Sequence, residues 1–356
     1  MKRKNLLLTL SLTGLIILVS CSDNDNPIEQ KPINNNTILI LNEGNFNQNN
    51  STLAKYDIET GSIIKDFFRE VNMRGLGDVG NDMIKYGSKL YIVMNVSGTI
   101  EIADASTGKS IRQISMKMED GSSKQPRQLI AHEGKVYVTS FDDTVTRIDT
   151  VSLDIDATVK VGLDPDGIEI INNKIYVANS GGLNFLDGYN NTLSIIDISS
   201  FTVEKEIEVA VNPTNIGKDN RGNIYISALG NYTDIGASFQ KITTDGRVTT
   251  IEEITSPGKF VIFENKAYII QGSYGNPYSV LVYDCLTEQV ISDNFITDGT
   301  EVGIIHGIDV NKETGDVIIM ETDYQTPGTV YCFTKEGKLK YKIAAIGLIP
   351  TAVAFN

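Results

Sequence analysis

A short motif recurs along the chain: KLYIVMN at 89–95, KVYVTSF at 135–141, KIYVANS at 174–180, NIYISAL at 223–229, KAYIIQG at 266–272 and DVIIMET at 316–322. TILILNEG at 37–44 fits the same pattern. Aligned on Leu39, Tyr91, Tyr137, Tyr176, Tyr225, Tyr268 and Ile318, the copies stand 39 to 52 residues apart. Such a period marks stacked units, each too small to bury its own apolar face alone. Ahead of the column lies another apolar run, opened by Pro126, Pro165, Pro213 or Pro257, with Gly80 and Gly307 in the equivalent place. Behind it come runs such as GTIEIADAST, TLSIIDISS and VLVYDCLTE, then a turn and a fourth run such as KSIRQI or EKEIEV. Four short strands per unit, separated by turn residues, make a propeller blade.

Seven columns predict seven blades. The first unit begins at its second strand and lacks the proline-led first one, while the chain finishes on IPTAVAFN. Pro350 and its run match the missing piece, so the C-terminal strand is expected to join the N-terminal blade and close the ring, hiding two sheet edges. The expected fold is one all-β, seven-bladed β-propeller over residues 34–356. Two β-sandwich domains would need a linker near the middle, and none is visible. The succession of proline, YVAN and a run ending in Asp resembles the YncE-like propellers. The chain has no tryptophan, which excludes a WD-repeat assignment and disfavours the tryptophan-docked quinoprotein enzymes.

The N-terminus reads differently. Lys2, Arg3 and Lys4 precede LLLTLSLTGLIILVS, a basic and then apolar segment that is too short for a spanning helix and suits a secretory signal over residues 1–20. Leu18, Val19, Ser20 and Cys21 resemble a bacterial lipobox, which implies an acylated Cys21 and a membrane-surface anchor. Residues 21–33 are polar, lack a hydrophobic period and read as a tether. Asp23 and Asp25 resemble acidic signals that carry lipoproteins to the outer face of some Gram-negative cells.

Charge and cysteine usage narrow the partners. The chain carries 31 Lys+Arg against 45 Asp+Glu, net −14, and losing the leader makes it more acidic. That balance, without a basic stripe, argues against nucleic acid. Cys285 and Cys332 lie in β-like runs and read as buried thiols, too few for a disulfide framework.

In a propeller, the loop between the second and third strands and the loop into the next blade open on one face. Five of the seven second-to-third loops are longer than a hairpin needs: NEGNFNQNNS, NSGGLNFLDGYNN, ALGNYTDIGAS, QGSYGNPYS and ETDYQTPG. They share Gly, Asn, Ser and an aromatic residue. Rigid aromatic rings supply contact area at little entropic cost, and amides supply adaptable hydrogen bonds. The candidate ligand-binding residues of this face are Asn42, Glu43, Phe46, Asn95, Phe141, Asn179, Phe185, Tyr189, Tyr232, Tyr274, Tyr278, Asp323 and Tyr324. The starts of the inner strands and the loops before them place Arg74, Asp82, Arg127, Asp166, Asn215, Lys259 and His306 at the channel mouth, with Asn81, Gln128, Thr214 and Thr351 nearby.

Signs of catalysis are sparse. There is no G-x-S-x-G elbow, and His132 and His306 are the only histidines. His132, in AHEGKV, belongs to a turn on the opposite face. Too few nitrogen and sulfur ligands exist for a zinc site. A calcium-dependent hydrolase is conceivable, with Glu43, Asp82, Asn95 and Asn179 as oxygen ligands, although no spacing singles them out.

The lipobox leader, the short acidic tether, ILILNEGNFNQNNSTLAKYDIETG and DVGNDMIKYGSKLYIVMNVSGTIEIADASTGK together resemble the surface lipoprotein propellers of the cobalamin-binding BtuG family. That resemblance covers essentially the whole mature chain. It implies a binding protein without a cofactor or catalytic residue, which grips a corrinoid as transported ligand and hands it to a TonB-dependent outer-membrane transporter. Tyr189, Tyr232, Tyr274, Tyr278 and Tyr324 would equally suit the platforms of a glycan-binding lipoprotein.

Overall fold

A computed structural model describes residues 36–273 and 275–355. By its contacts the chain divides into units 1–31 and 32–356, and the described residues belong to the second. The expected leader, the tether with Cys21, Tyr274 and Asn356 lie outside the described residues.

Seven four-stranded antiparallel sheets form the ring. The fourth blade shows the pattern, running from the axis outwards as Pro165–Ile171, Lys174–Asn179, Thr192–Asp197 and Thr202–Glu208. Its second strand is mostly buried and its fourth mostly exposed. That gradient follows from position, since second strands are covered on both faces by neighbouring blades and outer strands meet water on one side.

The first blade closes the ring. Pro350–Phe355 pairs antiparallel with Thr37–Asn42, which continues to Thr52–Asp57 and Ile63–Ile64. In register, Ile38 faces Phe355 and Ile40 faces Val353. The closing strand feeds two cores: Ala352 and Ala354 pack with Leu39, Leu41, Met83 and Ile92, while Val353 packs with Ile38, Ile40, Ile318 and Met320. Of the column residues, Leu39, Tyr91, Tyr137, Tyr225, Tyr268 and Ile318 are buried in such clusters between blades. Cys285 and Cys332 are buried free thiols.

Every inner strand carries a register shift at its start, between Gly80 and Asp82, Pro126 and Leu129, Pro165 and Ile168, Pro213 and Asn215, Pro257 and Phe260, and Ile305 and Gly307; at closure it falls beside Pro350. A bulge re-aims the side chains it carries, here those at the mouth of the axis.

Among the described residues one element breaks the all-β pattern, a short helix at Phe67–Asn72 between the first and second blades. Asp66 caps it by accepting from the Arg69 amide, Met73 ends it in the left-handed region, and Phe67 and Phe68 are buried.

Candidate functional site

The bulged starts of the inner strands and the long loops above them enclose a cavity of about 790 Å³ on the axis. Twelve of the candidate residues line it: Glu43, Asp82, Arg127, Phe141, Asp166, Tyr189, Asn215, Tyr232, Lys259, Tyr278, His306 and Tyr324. They come from all seven blades except that the second contributes only through its inner strand.

Two bonded groups stiffen the wall. The Arg127 guanidinium donates through Nε and Nη2 to both Asp166 carboxylate oxygens at 3.2 and 3.1 Å, and through Nη1 to Asn81 Oδ1 at 2.9 Å. Its Cζ lies 4.7 Å from the Phe141 ring centroid. A guanidinium held by a bidentate partner and an aromatic face is rigid, and three of its five donors are already in use. Across the axis, His306 Nε2 lies 3.0 Å from Glu43 Oε2 and its Nδ1 3.3 Å from the Tyr324 hydroxyl. The His306 and Tyr324 rings meet edge to face with centroids 5.7 Å apart.

The tyrosines form the upper rim. Tyr189 and Tyr232 pack edge to face at 5.8 Å, joining the loops of the fourth and fifth blades. Tyr232 and Tyr324 remain 68% and 48% exposed, and their backbones sit at φ 60° and 61°. That left-handed region is costly for a side chain with a Cβ and is commonly held at binding loops. The longest loop, 180–191, is pinned from below: Asp164 accepts from the Leu183 amide through its carboxylate at 2.9 Å and from the Ser180 hydroxyl through its carbonyl at 2.7 Å. Burial pushes the Asp164 carboxyl upward, with the Leu183 bond opposing it.

Deeper on the axis Asp82 turns its carboxylate to the backbone, accepting from Met83 at 2.8 Å and Leu129 at 3.0 Å. Burial raises its pKa, against the pull of Lys259. Asp309, half-buried lower in the channel, accepts from the Val310 amide.

The remaining candidates lie elsewhere. Arg74 does not reach the channel mouth. It follows the short helix at the blade periphery, where Nη2 meets both Glu101 oxygens at 2.9 Å and the guanidinium covers the Phe68 ring. Asn42, Asn95 and Asn179 point into the blade bases and not into the cavity. Asn42 donates to Thr52 at 3.0 Å, Asn95 to the Pro126 carbonyl at 3.0 Å, and Asn179 to Thr192 and Ser194 at 2.8 and 2.9 Å. Phe46 and Phe185 stand on loop tips outside the cavity, 70% and 61% exposed. Asp323 folds its carboxylate onto the Gln325 and Thr326 amides of its own loop. Tyr274 lies outside the described residues.

The structure adds Ser180, Asn212, Leu229 and Ile270 to the lining. Asn212 precedes Pro213, so the proline marker could have pointed to it; the apolar pair carried no such signal. The four oxygen ligands conceived for calcium are not brought together: Glu43 and Asp82 line the axial cavity, and Asn95 and Asn179 do not. Among the described residues no group of three or more His, Cys, Asp or Glu side chains is placed to hold a metal ion.

Comparison with known proteins gives a family and a fold. The profile described as "Domain of unknown function (DUF5074)" matches residues 36–346. No curated protein matches the chain. Among solved structures, a hydrazine synthase chain of Kuenenia stuttgartiensis superposes with a TM-score of 0.62 at 15% identity, covering 77% of this chain and 89% of that one. The computationally designed Ika8 protein superposes at 0.53 and 13% identity, covering 78% and 90%. At such identities the likeness is one of fold alone.

Proposed function

This chain belongs to the DUF5074 family, and we propose that it is a capture protein: a cell-surface lipoprotein that binds a corrinoid in the axial cavity and passes it to a TonB-dependent outer-membrane transporter. The observation that carries the reading is the convergence of the long aromatic loops on one cavity of about 790 Å³. Ligand sites of this size are largely preformed, with an apolar or aromatic wall and a few fixed polar groups. A corrin ring edged with amides would lie against Tyr189, Tyr232, Tyr278 and Tyr324. The bonded pairs Arg127–Asp166 and Glu43–His306 would meet it as fixed dipoles, so little freedom would be lost on binding. The lipobox-like segment ending at Cys21 supports anchoring of the chain to a membrane surface, with the loop-bearing face free to meet the transporter.

The test is calorimetric titration of the full-length protein in detergent with cyanocobalamin, beside a variant in which residues 181–190 are replaced by Asn-Gly. Submicromolar binding that the shortened loop weakens at least about 100-fold is the expected outcome; absence of heat and of any thermal shift defeats the corrinoid reading. A second reading has one observation in its favour, the solvent exposure of the rim residues Tyr232 and Tyr324, whose rings would stack against sugars. Binding on a glycan panel, with none to cyanocobalamin, would select it.

A further inference from the structure

The basic groups of the cavity are not equivalent. Arg127 is held by Asp166, Asn81 and Phe141, and His306 lies between Glu43 and Tyr324. Lys259 is different. Its Nζ makes one long hydrogen bond, 3.4 Å to the Thr351 carbonyl, and among the described residues it forms no ion pair. An ammonium group has three donors and no acceptor, so most of its capacity is unspent. Gly307 helps to place it: a Cβ there would come within 3.2 Å of the Thr351 carbonyl that Lys259 reaches.

Lys259 stands at the waist of the channel. Together with Asp82 and Thr351 it lines both the upper cavity and a smaller one of about 170 Å³ beneath, which also holds Asp309. The two carboxylates feel its charge, yet neither closes an ion pair with it. Asp82 has both oxygens on backbone amides and Asp309 one.

A second free donor lies on the adjacent inner strand. Asn215 Oδ1 accepts from the Phe260 amide at 2.9 Å, which fixes the orientation of its amide. Asn215 lines the cavity, and its Nδ2 makes no hydrogen bond among the described residues. On neighbouring strands, then, an unspent ammonium and an unspent amide N–H₂ share the floor of a cavity whose other charged groups are paired or turned to the backbone.

We propose that Asn215 and Lys259 form an oxyanion subsite at the cavity floor, which takes a phosphate or carboxylate group of the captured molecule. The assignment rests on the capture reading above and refines it: the tyrosine rim holds the body of the ligand, and the floor selects ligands with an anionic group directed along the axis.

The test compares two corrinoids by calorimetry on the full-length protein, cyanocobalamin, which has a phosphodiester, and dicyanocobinamide, which has none. Lys259→Met is expected to weaken cyanocobalamin about 10- to 100-fold, the range of a charge-assisted hydrogen bond, and dicyanocobinamide less than about 3-fold. Asn215→Asp keeps the acceptor for Phe260 and replaces the free donor by a negative charge, so it should weaken cyanocobalamin selectively as well. Lys259→Arg should retain most of the affinity and guards against a folding defect. Equal losses for both corrinoids overturn the subsite. If the wild type binds neither, the corrinoid reading fails separately, and inorganic phosphate becomes the probe. Stabilisation of the wild type by phosphate beyond that of Lys259→Met, at equal ionic strength, then supports the subsite, and equal stabilisation overturns it.

Discussion

The two ends of the propeller axis solve the same problem in opposite ways. On the far face, first and second strands of several blades are joined by two residues: Glu133–Gly134, Asn172–Asn173 and Glu264–Asn265, all with positive φ at both positions. These are the tight turns whose twist suits a hairpin. On the near face the connection between second and third strands of the fourth blade takes residues 180–191, and those of the first, fifth, sixth and seventh blades are also long. Strand geometry is the same at both ends, so the extra chain on one face is not demanded by the fold. It supplies the rim of the axial cavity, while short far-face turns, Asn172–Asn173 among them, border a separate hollow of about 510 Å³.

The sharpest way to break this comparison is at the rim. Replacing Tyr189 and Tyr232 together by Ala should cost about 100-fold in cyanocobalamin affinity and leave the melting temperature within experimental scatter. A large loss of stability with unchanged affinity would mean that the rim belongs to the fold after all.

A second measurement addresses the channel between the two faces. Burial pushes the Asp309 carboxyl up to about 6, its bond from Val310 and the charge of Lys259 pulling the other way. In the unfolded chain the group titrates near 4. Ionisation between those values therefore costs the folded state more than the unfolded one, and stability falls as pH rises through that window. Asp309→Asn, which keeps an acceptor for Val310, should be the more stable protein by on the order of 2 kcal/mol above pH 7 and indistinguishable from wild type below pH 4. Urea denaturation of both proteins across that range checks it, and a difference independent of pH would refute the assignment.

The smallest effect belongs to the far face. Asn172 occupies φ 47°, which Asn tolerates better than Ala, so Asn172→Ala should lose about 1 kcal/mol of stability. Ligand affinity should not move. A change in affinity from this turn would show that the two ends of the axis communicate.

The ring was legible in the sequence because a propeller writes its period into the chain. The prolines mark where inner strands begin, the Tyr91, Tyr137 and Tyr225 column marks burial between blades, and Pro350 with its run supplied the closing strand. The site was legible only to the level of the face. Asn42 and Asn179 end their strands and Asn95 follows one, polar residues beside the loops, and nothing in a one-dimensional pattern says that they turn away from the cavity. Arg74 was misplaced because a helix as short as Phe67–Asn72 leaves no helical period to read, and that helix diverts the chain to the periphery. Conversely, Lys259 and Asn215 looked like any polar strand start. What distinguishes them is which neighbours already have partners, and that emerges only when seven bulged strands are brought to one axis.

The pairing of Thr37–Asn42 with Pro350–Phe355 also has a consequence in time. Within the ring, the strand that completes the first blade is synthesised after all the others, so a growing chain can assemble the middle blades while Thr37–Asn42 still presents an open edge. The entropy of shutting so long a loop rises only slowly with its length, and the burden falls on kinetics instead: the contact most distant along the chain is the one on which circular order depends. Until it forms, the molecule is a curved stack with two sticky ends, vulnerable to pairing with a second copy. Loss of the final strand would reopen the circle and not merely fray a terminus.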